Sequence, residues 1–192
     1  EMAEWPVERA GVVETVVTTR GPNDRWNVAA LGVENLDADG PARARTWGRT
    51  RTWLNFRERG GGYVQFTQDA VDFVEAALAV REEADPILDS ADAWVEVRVK
   101  QRASGEDGGT EWTDWRLDAV DSEVKRRVVP TVNRGHAAVI EATVAASRLD
   151  VDAYDSAQLR DRLDYFEDVA LRCGGKREQE AVKRIHSLVE EW

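Results

Sequence analysis

Short runs of β-branched or alternating residues, separated by turn chemistry, fill the first two thirds of the chain, and this spacing leaves few folds open. Val12 to Arg20 (VVETVVTTR) is rich in β-branched residues and reads as a buried strand. GPND at 21–24 is a turn, and Arg25 to Val33 returns as the second arm of a hairpin. LDADGP at 36–41 is another turn, and Ala42 to about Trp47 alternates small and long side chains as a third strand. Tyr63 to Thr67 is a fourth. Ala93 to Arg102 alternates strictly, with Val95, Val97 and Val99 facing inward. SGEDGG at 104–109 reads as a hairpin loop, Glu111 to Val120 as the returning strand, and Glu123 to Val129 as a seventh strand closed by Pro130. Many short antiparallel strands joined by tight turns point to a closed barrel.

Two short helices interrupt this series. Thr52 is placed to N-cap one running through Arg57, which the glycines at 60–62 end. Thr67 is placed to cap another over Asp69 to Glu82, with Val71, Val74, Ala77 and Leu78 on one face. The last third changes period. Asn133 to Leu149 is helical, and Ala137, Ile140, Val144 and Ala145 make a narrow small-residue face suited to close packing. Asp155 or Ser156 caps a helix to Arg172, which Gly174 and Gly175 stop. Lys176 to Trp192 is a final helix with Ala181, Val182, Ile185, Leu188, Val189 and Trp192 on its apolar side. The expected fold is α+β, mainly β. A barrel domain spans 1–130, and a helical extension over 131–192 packs on the barrel or on an interface.

Charge narrows the function. The chain carries net charge −11, with 37 acidic residues, 22 arginines and only four lysines. High acidity with scarce lysine reads as adaptation to a salt-rich cytoplasm, where screening relieves self-repulsion. The same acidity argues against nucleic acid as the main partner, because phosphate backbones repel such a surface. No apolar run approaches about 18 residues, so no membrane partner is expected. The N-terminus, EMAEWPVERAG, lacks the basic start and apolar stretch of a signal peptide. One cysteine, Cys173, excludes an internal disulfide and fits a reducing compartment. His136 and His186 stand far apart, and no metal site is expected.

One stretch runs against the overall charge. Ala42 to Gly60 (ARARTWGRTRTWLNFRERG) holds six arginines against one carboxylate, Glu58, a local balance of +5. Thr46, Thr50, Thr52 and Asn55 are interleaved with them, and Trp47 and Trp53 add flat apolar surface. Arginine forks, hydroxyls and helix-start N–H groups suit a phosphate, and indole faces suit a planar ring. Two readings stand together. Thr50, Arg51, Thr52 and Asn55 hold a phosphate, or the threonine is an ordinary cap and the arginines pair with surface carboxylates. Asn27, Ala29 and Gly32 on the second strand either let a planar group lie along the backbone or serve tight packing. Thr67 is a cap or a second contact. Asn133 is a cap or a ligand contact, and Arg134 beside it puts positive charge at an already positive helix start, which calls for an anion or an acidic neighbour. His136, on the same turn, either reaches a ligand or is solvated. No catalytic triad, GxGxxG, P-loop or pair of catalytic carboxylates is present, so any hard chemistry belongs to a cofactor.

Four pieces together resemble the archaeal family of unknown function numbered 447 (DUF447): NVAALGVE at 27–34, RTWGRTRTWLN at 45–55, DAWVE at 92–96 and VNRGHAAVIEATVAASRL at 132–149. The closing GGKREQEAVKRI is similar to that family's terminal helix. The resemblance implies an FMN-binding split β-barrel related to flavin reductases, acting as a homodimer with one FMN per subunit near the dimer interface. It implies a phosphate on Thr50, Arg51, Thr52 and Asn55, a flavin ring along Asn27, Ala29 and Trp47, and Thr67 as a second-line contact. Asn133 and Arg134 match the family's NR pair, with flavin, substrate or the other subunit as their partner. Where the family pattern expects a proline in an NAAPMGV-like strand, this chain has Ala30 and Leu31. The implied activity is an FMN-dependent oxidoreductase of unknown substrate, with NAD(P)H or another small molecule as electron donor. A flavin carrier or sensor is the alternative, and a single-stranded nucleic-acid module a third.

Overall fold

A computed structural model describes residues 3–8, 10–35 and 40–189. The chain divides into two compact units, one formed by 1–68 and 81–128 and the other by 69–80 and 129–192.

The first unit is an antiparallel barrel. Its strands are β1 (Val13–Arg20), β2 (Trp26–Asn35), β3 (Ala42–Trp47), β4 (Gly61–Thr67), β5 (Arg81–Glu83), β6 (Ala91–Asp107) and β7 (Thr110–Val124), with helix α1 (Arg51–Arg59) between β3 and β4. The sheet order is β1-β4-β6-β7-β3-β2-β5, and β1 also pairs with β2. Six strands therefore close a ring and β5 hangs on the outside of it. Pairing along β2 is uneven. Its residues Trp26 to Val33 are matched by β1. On the other edge β5 takes Trp26 to Val28 and β3 takes Val33 to Asn35. Among the described residues no strand pairs with 29–32 on that edge, so the barrel is split there.

The core follows from strand alternation. Val17, Val33, Val64, Val95, Val97 and Leu117 point inward with Phe56 of α1 and Trp115. The rings of Phe56 and Trp115 meet edge-on at 5.4 Å, and the indole N–H donates to Thr46 Oγ1 at 2.9 Å, so the polar end of the largest core side chain is satisfied. The three glycines at 60–62 do separate work. Gly60 ends α1 with φ +68 and an N–H bonded to the Phe56 carbonyl. A Cβ on Gly61 would lie 2.8 Å from the Val97 carbonyl, and one on Gly62 2.6 Å from that of Thr18. β4 can thus press between β1 and β6 only without side chains there.

The second unit is α-helical: α2 (Ala70–Leu78), α3 (Arg134–Ala146), α4 (Ser156–Cys173) and α5 (Lys176–Leu188). α2 is inserted between β4 and β5 in sequence, yet it clusters with the C-terminal helices. Its Val71 and Val74 join Ala138, Val139, Ala142, Leu159, Leu163, Ala181 and Ile185 in one apolar core. Two arginines of α5 reach α2: Arg177 to Asp69 at 2.8 Å and Arg184 to Glu75 at 3.0 Å.

Several elements differ from the sequence reading. The cap of α1 is Thr50, whose Oγ1 accepts from the Trp53 amide, and not Thr52. The cap of α2 is Asp69, which accepts from the Val71 and Asp72 amides, and not Thr67. α2 stops at Leu78 because Ala79 is extended, and 81–83 form β5. The segment Glu123–Val129 is no separate strand. β7 runs unbroken to Val124, and the amides of Lys125 and Arg126 then bond the Asp92 carbonyl. The expected loop at 104–109 shrinks to Gly108 and Gly109, both with positive φ, which is the geometry of a two-residue hairpin turn. On α3 the buried face is Gly135, Ala138, Val139, Ala142, Thr143, Ala145 and Ala146, with Ala137 exposed and Ile140 and Val144 only partly covered. A close approach at Gly135, where a Cβ would sit 2.3 Å from Gly174, fixes that rotation. Part of the turn at 36–41, and Trp192 on the predicted final helix, lie outside the described residues.

Candidate functional site

The barrel unit gathers five of the sequence-derived site residues at one place. α1 starts where β3 ends, after a bend at Gly48 with φ +67. Thr50 Oγ1 satisfies the Trp53 amide at 3.2 Å. The Arg51 and Thr52 amides precede it in the first turn, where helix geometry offers no internal acceptor. Thr52 is buried and its hydroxyl lies 3.5 Å from the Asn27 amide nitrogen on β2. Asn55, one turn on, is also buried and donates to the Thr19 hydroxyl at 3.0 Å and the Thr19 carbonyl at 3.4 Å. Thr52 and Asn55 therefore fasten α1 to the barrel wall, while Thr50 and the half-exposed Arg51 face outward. Ala29 begins the unpaired edge of β2, two residues beyond Asn27.

Trp47 ends β3 with 46% of its surface exposed. Opposite it in register is Trp112 of β7, whose indole lies over Gly105 closely enough that a Cβ there would meet it at 2.6 Å. The Arg45 guanidinium stacks on Trp112 at 4.1 Å and on Trp47 at 5.6 Å. It also grips Asp114 through two hydrogen bonds of 2.6 and 3.0 Å. That bond holds the buried Asp114 carboxyl below the ordinary carboxylate range, against burial, and raises Arg45.

The arginine cluster is mostly neutralised from within. Arg43 pairs with Glu34, Arg45 with Asp114, Arg49 with Glu111 at 3.1 Å, Arg51 with Glu82 at 3.0 Å and Arg57 with Glu58 at 3.2 Å. Of the two readings of this stretch, pairing with the chain's own carboxylates describes these five. Glu82 and Asp114 were not singled out in the sequence. Glu82 fell inside a stretch read as helix. Asp114 carried a signal, since it alternates with Trp112 on a strand that must return beside Arg45.

The remaining candidates sit elsewhere. Thr67 closes β4 and donates to the Ser90 carbonyl at 3.1 Å. Asn133 and Arg134 belong to the helical unit. Asn133 caps α3 by accepting from the Gly135 and His136 amides at 2.9 and 3.2 Å, and its Nδ2 lies 3.4 Å from Glu178. Glu178, buried, also takes the Gly175 amide at 2.8 Å and stands 3.6 Å from His136, so it is the acidic neighbour of this helix start.

A closed antiparallel ring opened along one strand edge, with a short helix starting beside the opening, defines a split-barrel protein of the α+β class. Within that class the chain belongs to the DUF447 family of proteins of unknown function. The model of the family's N-terminal domain matches residues 13–126, and the companion DUF447 model matches 133–187. Among solved structures, an FMN-bound DUF447 protein from Methanosarcina mazei superposes with a TM-score of 0.79 at 22% identity, covering 94% of this chain and 96% of its own. A flavin reductase domain protein from Arthrobacter sp. FB24 gives 0.51 at 16% identity, over 64% of this chain and 83% of its own. At these identities the likeness establishes the fold.

Proposed function

We propose that this chain binds FMN and acts as a flavin-dependent oxidoreductase of flavin-reductase type. The observation that carries the reading is the unpaired edge of β2 at 29–32, placed next to the Asn27–Thr52 contact and the first turn of α1. A phosphorylated, ring-bearing ligand needs an anion site and a strip of free backbone within one molecule's reach. The FMN-bound relative has the same fold.

In this reading the Arg51 guanidinium and the Thr50 hydroxyl, with the first-turn amides of α1, hold the phosphate. Thr52 and Asn55, buried and already bonded, keep that turn against the barrel. Main-chain N–H groups from Ala29 onward meet the polar edge of the ring and favour its negatively charged, reduced form as fixed dipoles do. Asn27 supports that edge, Trp47 offers an aromatic face and Thr67 a second-line contact. FMN, when bound, supplies the hydride or electron acceptance that no side chain here can provide. The electron donor is NAD(P)H or a similar small molecule, and the working form is a homodimer in a salt-rich archaeal cytoplasm.

Purified protein is incubated with FMN, desalted, and its absorption spectrum recorded in molar KCl. Retained yellow colour with a shifted flavin band is expected, and stopped-flow mixing with NADH or NADPH should bleach it. Loss of all flavin on desalting overturns the binding site. Retained flavin that neither nucleotide bleaches leaves a carrier or sensor in place of the enzyme.

A further inference from the structure

Glu82 is held harder than its position on a three-residue strand requires. Asn23 Nδ2 donates to Oε2 at 3.0 Å, and Arg25 Nε stands 3.9 Å from the same oxygen. A further Arg25 nitrogen donates to the Glu82 carbonyl at 3.1 Å. β5 itself is fixed on β2 by the register Trp26↔Glu83, Asn27↔Glu82 and Val28↔Arg81. All of these anchors come from β2 and the turn before it. Arg51 Nη1 then meets the other oxygen, Oε1, at 3.0 Å. The carboxylate is therefore a fixed post, 27% exposed, and the arginine leaning on it is 56% exposed.

The register adds a second point. Residues opposite each other on paired strands project from the same face. Asn27 reaches Thr52 and Glu82 reaches Arg51. One cross-strand pair thus holds two successive residues of the α1 first turn.

We propose that Glu82 is a positioning residue for the phosphate-binding guanidinium. Resting on the reading that Arg51 meets a phosphate, it takes the Nη1 side of Arg51 and leaves the remaining N–H groups directed to a phosphomonoester. A free arginine side chain samples many rotamers, and a carboxylate that removes them in advance raises the affinity of the fork for its anion. Glu82 does not cancel the site, because Arg25 and Arg51 together outweigh its single charge. The device acts on the charged tail alone, so it favours FMN over riboflavin.

The test is a double-mutant cycle read by flavin fluorescence on the full chain, with FMN and riboflavin as probes. Glu82→Ala is expected to weaken FMN binding about three- to tenfold in the native background and less than about twofold in the Arg51→Ala background. Riboflavin binding should be unchanged by Glu82→Ala, and Glu82→Gln, which keeps an acceptor for Arg51, should recover part of the loss. Tighter FMN binding by Glu82→Ala overturns the proposal, because Glu82 would then compete with the phosphate. An equal loss in both backgrounds, or an equal loss for riboflavin, also overturns it, because the effect would come from β5 and the barrel wall. Failure of the underlying reading is visible separately, as FMN binding that Arg51→Ala alone leaves intact.

Discussion

Helices α1 and α2 are both nine residues long, both start from an extended cap, and treat the positive end of a helix in opposite ways. α2 neutralises its own start. Asp69 accepts from the Val71 and Asp72 amides at 3.0 and 2.9 Å, Asp72 adds a second carboxylate in the first turn, and Arg177 closes the other side of Asp69 at 2.8 Å. α1 has no acidic residue in its first turn, and its cap is an uncharged threonine. Glu82, the carboxylate that pairs with Arg51, meets its side chain at 3.0 Å. A helix start whose cap carries the charge is finished as a structural joint. One capped by a hydroxyl, with an arginine beside it, still has room for an external anion.

Exchanging the caps breaks this contrast most sharply. Thr50→Asp gives α1 the cap of α2. Aspartate caps as well as threonine, so stability should change by less than about 0.5 kcal/mol. A carboxylate placed against the phosphate should lower FMN affinity by about a hundredfold or more. Paired urea melts and FMN titrations measure both, and unaltered FMN affinity would move the anion site away from α1. Next in size is Arg51→Ala, expected to cost about tenfold to a hundredfold in FMN affinity, as loss of a charged hydrogen bond does. Arg57→Ala should change it by less than about twofold, because Arg57 lies over Trp53 at 4.5 Å and pairs with Glu58. Equal losses in the two variants would refute the assignment.

On the α2 side the same logic predicts a stability effect with no binding effect. Asp69→Ala removes a cap and the partner of Arg177 together and should cost about 1–2 kcal/mol in a urea melt. FMN affinity should stay within about twofold. A drop in affinity as large as that of Arg51→Ala would mean that the two helix starts are not functionally distinct.

This contrast was only partly legible in the amino-acid sequence. The barrel was legible because period-two alternation and turn residues mark each long strand, as in AWVEVRV. The arginine-rich stretch of the candidate site was legible because +5 within nineteen residues stands out in an acidic chain. The caps of α1 and α2 were not. Thr50 and Thr52 both fit the start of α1, and only the extended backbone at Thr50 decides. β5 was missed because three residues cannot display a period, and its strand character comes from pairing with β2. The long arm of β7 was split in two because a bulge puts Val120 out of alternation, with 43% of its surface exposed, between Ala119 and Asp121. The destination of each arginine was hidden for a different reason. Their carboxylates lie 9 to 69 residues away in sequence for Arg43, Arg45, Arg49 and Arg51, so only the tertiary fold brings them together.

The smallest expected effect concerns acid. Burial pushes Asp69 up, but the Arg177 hydrogen bond and the two cap amides outweigh it, so its carboxyl titrates below the ordinary value. A carboxylate lowered on folding adds stability that is complete above its unfolded value, near pH 4, and is lost as pH falls through the folded value. Asp69→Asn keeps an acceptor for the amides and gives up the charge. Its deficit against the native chain should therefore be under about 1 kcal/mol at pH 7, begin to shrink below about pH 4, and vanish only as the pH falls through the lowered folded value, where the native residue also becomes neutral. Far-UV circular dichroism melts of both proteins at pH 7, 5 and 3 measure the gap. A gap that stays constant with pH would show that the cap amides, and not the charge shared with Arg177, carry what Asp69 contributes to α2.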